Sequence, residues 1–149
     1  MGERRINPLF NVHEKYRNMN IINPYRFGPQ IPNMIAGTYN NRLYYFNGTS
    51  WAEQQPAGAA DKGWYVSDIS GDKMIAGVYN GRLYYYDGSS WSETRPAGDV
   101  DKAWTLAYIF GDKMLAGVSG GRLYYYDGSS WSEQQPAGAV NKTWWYGLA

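Results

Sequence analysis

The chain contains no cysteine and a single histidine, His13. The first absence excludes disulfides, thiolate metal sites and cysteine nucleophiles. The second leaves no histidine cluster for zinc and one isolated candidate for a His-based triad. Charge is also scarce. Only 18% of residues are charged and the formal net charge is +1, well short of the basic excess of a dedicated nucleic-acid binder. No apolar run approaches the ~20 residues of a membrane-spanning helix, so no membrane insertion is expected. The start, Met1-Gly2-Glu3-Arg4-Arg5, runs into polar residues with no apolar stretch behind it, and it is not expected to act as a signal peptide. Aromatics, by contrast, make up 17% of the 149 residues, with 15 Tyr and 7 Trp beside 18 Gly. That composition points to a folded, β-rich protein that is not an enzyme and needs no cofactor.

An internal repeat of 40 residues accounts for most of the aromatics. Met34, Met74 and Met114 coincide, as do Arg42, Arg82 and Arg122, Trp51, Trp91 and Trp131, and Trp64, Trp104 and Trp144. Between residues 72–104 and 112–144, 25 of 33 positions are identical, so the two copies must share one local structure. Turn signals cut each unit into four short segments. In the second copy these signals are Ser70-Gly71-Asp72, Asn80-Gly81, Asp87-Gly88 and Pro96-Ala97-Gly98, and Asn-Gly and Asp-Gly favour tight hairpins. Strands are predicted over 64–69, 73–79, 82–86 and 90–94. None of them shows a helical period. Four strands in 40 residues, repeated without a helix, predict an all-β chain built of β-propeller blades.

The unit resembles blades of sialidase-like (BNR/Asp-box) propellers and of tachylectin-type lectin propellers. The likeness lies in Trp104, Gly111-Asp112-Lys113-Met114, Gly121-Arg122-Leu123-Tyr124 and Asp127-Gly128-Ser129-Ser130-Trp131. The last group is one residue tighter than the Asp-box, which reads Asp-x-Gly-x-Thr/Ser-Trp. Residues 34–149 enter the repeat at its second strand and leave after the first strand of the next unit, a segment placed at 144–148. Three blades per chain fall short of the usual ring of 4–8. Closure by oligomerisation is therefore expected, with Trp144, Trp145 and Tyr146 of one copy completing the blade that Met34 and Ile35 begin in another. A head-to-tail dimer of six blades is favoured. The alternative is a β-trefoil, which also has three units and twelve strands.

Residues 1–33 differ in kind. They hold five Lys/Arg against two Glu, together with six Asn and four of the seven Pro. Proline at this density forbids long regular elements, and the scattered aromatics suit an extended segment that docks on a partner. Ile22-Asn23-Pro24-Tyr25-Arg26-Phe27-Gly28 is similar to a peptide that precedes receptor-like or lectin-like domains in tailed-phage virion proteins. The resemblance implies an assembly-anchoring role for Asn23, Pro24, Tyr25, Arg26, Phe27 and Gly28. Its partners would be other virion proteins, and its location would be a virion assembled in the host cytoplasm.

Candidate chemistry is sparse in the repeats. Asp87 and Asp127 sit at turn tips where the first copy has Asn47; a turn accepts either residue, a general acid does not. Asp99-x-Asp101 becomes Ala59-x-Asp61 and Ala139-x-Asn141 in the other copies, too few oxygens for a calcium loop. Ser89-Ser90 and Ser129-Ser130 have no nearby base. Arg42, Arg82 and Arg122 are expected to pair with Glu53, Glu93 and Glu133. Most Trp and Tyr are expected in the core between blades. The rest could stack on sugars, with Tyr79, Tyr84, Arg95, Asp99 and Tyr124 as candidate glycan contacts. The sequence thus predicts a non-enzymatic virion component, a decoration, fibre or tail protein that anchors by its arm and displays a propeller for host-surface glycans. A freestanding carbohydrate-binding propeller is the alternative.

Overall fold

The computed structural model describes residues 32–39 and 41–145. The described residues are all-β, with eleven strands in three antiparallel sheets and no helix. Sheet 1 joins β1 (Met34–Gly37), β2 (Leu43–Phe46) and β3 (Trp51–Gln54). Sheet 2 joins β4 (Trp64–Ser70), β5 (Lys73–Val78), β6 (Leu83–Tyr86) and β7 (Trp91–Thr94), and sheet 3 joins β8 (Trp104–Phe110), β9 (Lys113–Val118), β10 (Leu123–Tyr126) and β11 (Trp131–Gln134). Each is an up-and-down meander in sequence order. The predicted strand positions hold within one or two residues. Of the segment 144–148, Trp144 and Trp145 carry no strand pairing, and the remaining residues lie outside the described ones.

The turn chemistry explains the short strands. Asp87 Oδ1 accepts hydrogen bonds from the backbone N–H groups of Ser89 and Ser90 at 2.8 and 2.9 Å, and Asp127 repeats this with Ser129 and Ser130. Asn47 Oδ1 does the same with Thr49 and Ser50, at 2.9 Å each. A side-chain oxygen at this position closes the turn on its own backbone. The pattern is indifferent to the charge of the residue, so these positions are structural turns. One feature lay outside the sequence reading. Pairing shifts by a residue between Trp64 and Val66 and again between Trp104 and Leu106, which bends the first strand of sheets 2 and 3.

The sheets stack face on face, and the repeat fixes which face meets which. Sheet 1 offers Leu43 and Ile35 to Trp64, Ala76, Val78, Tyr84 and Trp91 of sheet 2. Sheet 2 offers Ile75, Leu83 and Tyr85 to Trp104, Ala116, Val118, Tyr124 and Trp131 of sheet 3. The residues on one side of each seam are 40 apart from those on the same side of the other. Strand alternation makes this possible, since Leu83 and Tyr85 point one way and Tyr84 and Tyr86 the other. The approach is tight at Gly77, where an added Cβ would lie 2.7 Å from Val66 Cγ2 and 3.0 Å from Trp104 Cβ, and the equivalent Gly37 meets Trp64 in the same way. Glycine is therefore required for the tryptophan of the following sheet to sit down. Polar bonds also cross the seams: the indole N–H of Trp91 donates to Gln54 Oε1 (3.0 Å), that of Trp131 to Thr94 Oγ1 (2.6 Å), and the backbone of Ile109 to Asp68 Oδ2 (2.8 Å).

Candidate functional site

Two kinds of surface stand out in this stack, the clefts at the repeat boundaries and the two outermost sheet faces. The clefts lie at equivalent positions, 40 residues apart. One, of about 280 Å³, is lined by Lys62, Tyr79, Asn80, Arg82, Tyr84 and Asp101 among others. The other, of about 250 Å³, is lined by Lys102, Ser119, Gly120, Arg122, Tyr124 and Asn141 among others. Their floors are held by single bridges between Gly81 and Lys102 and between Gly121 and Lys142. The indole N–H of Trp104 donates to Gly81 O at 3.0 Å and that of Trp144 to Gly121 O at 3.3 Å.

The arginine of each repeat sits beside the strand-end glutamate, at 3.7 Å for Arg42–Glu53, 3.9 Å for Arg82–Glu93 and 3.6 Å for Arg122–Glu133. Further carboxylates come from the linker that follows. Asp61 reaches Arg42 Nε at 3.0 Å; Asp101 reaches Arg82 Nε at 2.7 Å, and Asp99 reaches Arg82 Nη1 at 2.8 Å. The last contact is an ion pair without hydrogen-bond geometry, and Nη1 of both Arg82 and Arg122 is enclosed and donates no hydrogen bond. Arg122 lacks linker carboxylates because Ala139 and Asn141 stand where Asp99 and Asp101 do. The sequence reading named the glutamates and missed the linker aspartates, although Asp61 and Asp101 recur in register. Burial raises the pKa of Tyr84 and of Tyr124, and the nearby Glu93 and Glu133 add to it.

The predicted glycan contacts divide between two settings. Tyr79, 43% exposed and tilted against Tyr65 at 5.3 Å, shares the first cleft with Tyr84. Tyr124 lines the second and packs edge-on against Trp104 at 6.3 Å. Arg95 and Asp99 belong instead to the ion-pair cluster around Arg82, with Arg95 Nε 2.7 Å from Glu93.

The two outer faces correspond, one repeat away, to faces that pack in the internal seams. Met74 and Met114 are 2% exposed, whereas Met34, at the same position of sheet 1, is 39% exposed. Trp51 is 51% exposed, while Trp91 and Trp131 bond to the sheet before them. At the other end Leu115, Leu123, Tyr125 and Pro136 line an open hollow of about 530 Å³. Beside it Tyr108 and Phe110 line an apolar one of about 240 Å³, Phe110 being 72% exposed. These two replace Asp68 and Ser70, which in sheet 2 accept hydrogen bonds from Ile109 and Gly111 of sheet 3. The sequence carried this signal as a polar-to-aromatic change at the 40-residue offset.

Of the residues predicted to close a ring, Met34 lies on the open face of sheet 1. Ile35 does not. It points the other way, into the internal seam with sheet 2, because neighbouring strand residues face opposite sides. Trp144 is seated as Trp104 is: an added Cβ on Gly117 would lie 2.6 Å from Trp144 Cβ, and Thr105 Oγ1 donates to Trp144 O at 2.7 Å. Trp145 is exposed. Tyr146 and the anchoring segment Asn23, Pro24, Tyr25, Arg26, Phe27 and Gly28 lie outside the described residues. No family model matches the chain, and neither the curated proteins nor the solved structures contain a match.

Proposed function

We propose that the chain is a non-enzymatic display module whose sheets are blades of a β-propeller closed by association of copies. The observation that carries this reading is the pair of outer faces that no other described sheet covers. They carry the positions that meet in the internal seams one repeat away, Met34 and Trp51 on one and Leu115 and Tyr125 on the other, which supports reading them as opposite halves of one interface. Trp144, which packs at Gly117 as Trp104 does at Gly77, would let the segment behind it pair with β1 of the next copy. Two copies then give six blades. The separate meander sheets, with no strand ladder running from one repeat to the next among the described residues, favour blades over a trefoil. The catalytic candidates are tied up structurally, Asp87 and Asp127 in turns and the arginines in ion pairs, which favours display over chemistry.

In this reading residues 1–33 anchor the module to a larger assembly, a tailed-phage virion, and the support for that part is the resemblance of residues 22–28. Deletion of residues 1–33 should leave a folded, self-associating domain that no longer joins the particle. Retained incorporation would refute the anchoring role. A second reading, carbohydrate binding, has the two equivalent polar clefts with their tyrosines in its favour. Binding of neutral sugars by the repeat domain on a glycan array is its test.

A further inference from the structure

We infer that the cleft around Arg122 binds a small ligand carrying a carboxylate and hydroxyl groups, the chemistry of a uronic acid. The inference rests on the second reading above for the site and is independent of ring closure. It comes from the one respect in which two otherwise equivalent clefts differ. Around Arg82 the protein supplies its own carboxylates, Asp101 at 2.7 Å from Nε and Asp99 at 2.8 Å from Nη1, with Glu93 at 3.9 Å. That guanidinium has no place for another anion. Around Arg122 the same seats hold Ala139 and Asn141, and Glu133 at 3.6 Å is its one carboxylate neighbour among the described residues.

The Arg122 side chain keeps about the same exposure as Arg82, 28% against 27%, so it is half-buried in a similar setting with less compensating charge. A guanidinium can donate two parallel hydrogen bonds to a carboxylate, stronger than bonds between neutral groups. Lys102 adds a second positive charge to the lining. Asp101 also lines the cleft, but its carboxylate is engaged with Arg82. Ser119 and Asn141 line the same hollow and carry polar groups suited to ligand hydroxyls. At about 250 Å³ the hollow falls below the range for drug-sized ligands, which restricts the occupant to a single small residue. In the Arg82 cleft, which is of similar size, the guanidinium is already paired with Asp99 and Asp101, so one site per chain is expected.

The test uses the ¹⁵N-labelled full chain and its indole N–H resonances. Trp144 reports on the Arg122 cleft through its bond to Gly121 O, and Trp104 reports on the Arg82 cleft through Gly81 O. Titration with glucuronate should shift Trp144 with millimolar affinity and leave Trp104 in place. The double variant A139D/N141D rebuilds the arrangement around Arg82 and should weaken binding about tenfold or more, while the unchanged Trp104 signal reports an intact fold. R122Q should also abolish the shift. Glucose is the neutral control. An equal response of Trp144 to glucose would overturn the carboxylate assignment while supporting neutral-sugar binding. Equal shifts of both indoles, or a response unchanged in A139D/N141D, would overturn it as well. Silence toward glucuronate overturns it, and silence toward both sugars removes the second reading too.

Discussion

The three methionines at one repeat position provide a test of the open face. Met74 and Met114 are 2% exposed inside seams, and Met34 is 39% exposed on the outer face of sheet 1. Truncation of a buried methionine costs about 2–5 kcal/mol through lost transfer energy and the cavity left behind. Met74→Ala and Met114→Ala should therefore lower unfolding stability by that amount, whatever the association state. Met34 has more than a third of its burial still to gain. Full burial of a methionine is worth about 1.5–3 kcal/mol, so covering Met34 adds about 0.5–1 kcal/mol per seam. A ring of two copies contains two intermolecular seams, which doubles the effect to about 1–2 kcal/mol, or about five- to thirtyfold in the dissociation constant of the dimer. The assay is urea denaturation of all three variants, paired with sedimentation equilibrium of wild type and Met34→Ala. If Met34→Ala costs as much as Met74→Ala at every protein concentration and leaves association unchanged, the assignment of the open face is wrong.

Two further outcomes follow from the turns and the seams. Asp87 is held at about 2 by the Ser90 backbone bond and the Ser89 bonds, and Asp127 is lowered in the same way. A depressed carboxylate contributes stability that is complete above its ordinary value near 4 and is lost as pH falls through the folded value. Wild type should therefore lose melting temperature between pH 4 and pH 2, and D87N/D127N, which copy Asn47, should lose less; equal losses would refute the turn assignment. At the seam, Gly77→Ala should cost about 1–3 kcal/mol by overpacking. Val66→Ala in the same chain should cost less than it does alone, because the added methyl meets Val66 Cγ2. Strict additivity in urea denaturation would contradict that contact.

Much of the fold was legible because local signals agreed with one another. Asp87-Gly88 and Asn80-Gly81 bound the strands, and Trp, Tyr, Val and Ile fill them, so the meander order follows from turn length. What could not be read was decided by stacking. Trp51, Trp91 and Trp131 are identical in sequence, yet Trp51 is half exposed because the face it occupies is at the end of the described sheets. Ile35 and Met34 are neighbours in the chain and point to opposite faces, which separates a residue of an internal seam from one of the open face. The extra residue at Tyr65 or Thr105 leaves no mark in composition. The clefts were partly legible. Their tyrosines and arginines recur, but their charge balance depends on Asp99 and Asp101 folding back onto Arg82, a contact between a linker and a strand end.

The most direct test of the central claim is native mass spectrometry of the full chain over a range of concentrations. One chain weighs 16.9 kDa. Closure by a second copy predicts a dominant species at twice that mass that does not grow into longer open chains, because a ring buries both outer faces. A species that stays at the mass of one chain at every concentration would contradict closure between copies, and a ladder of ever larger species would contradict a closed ring.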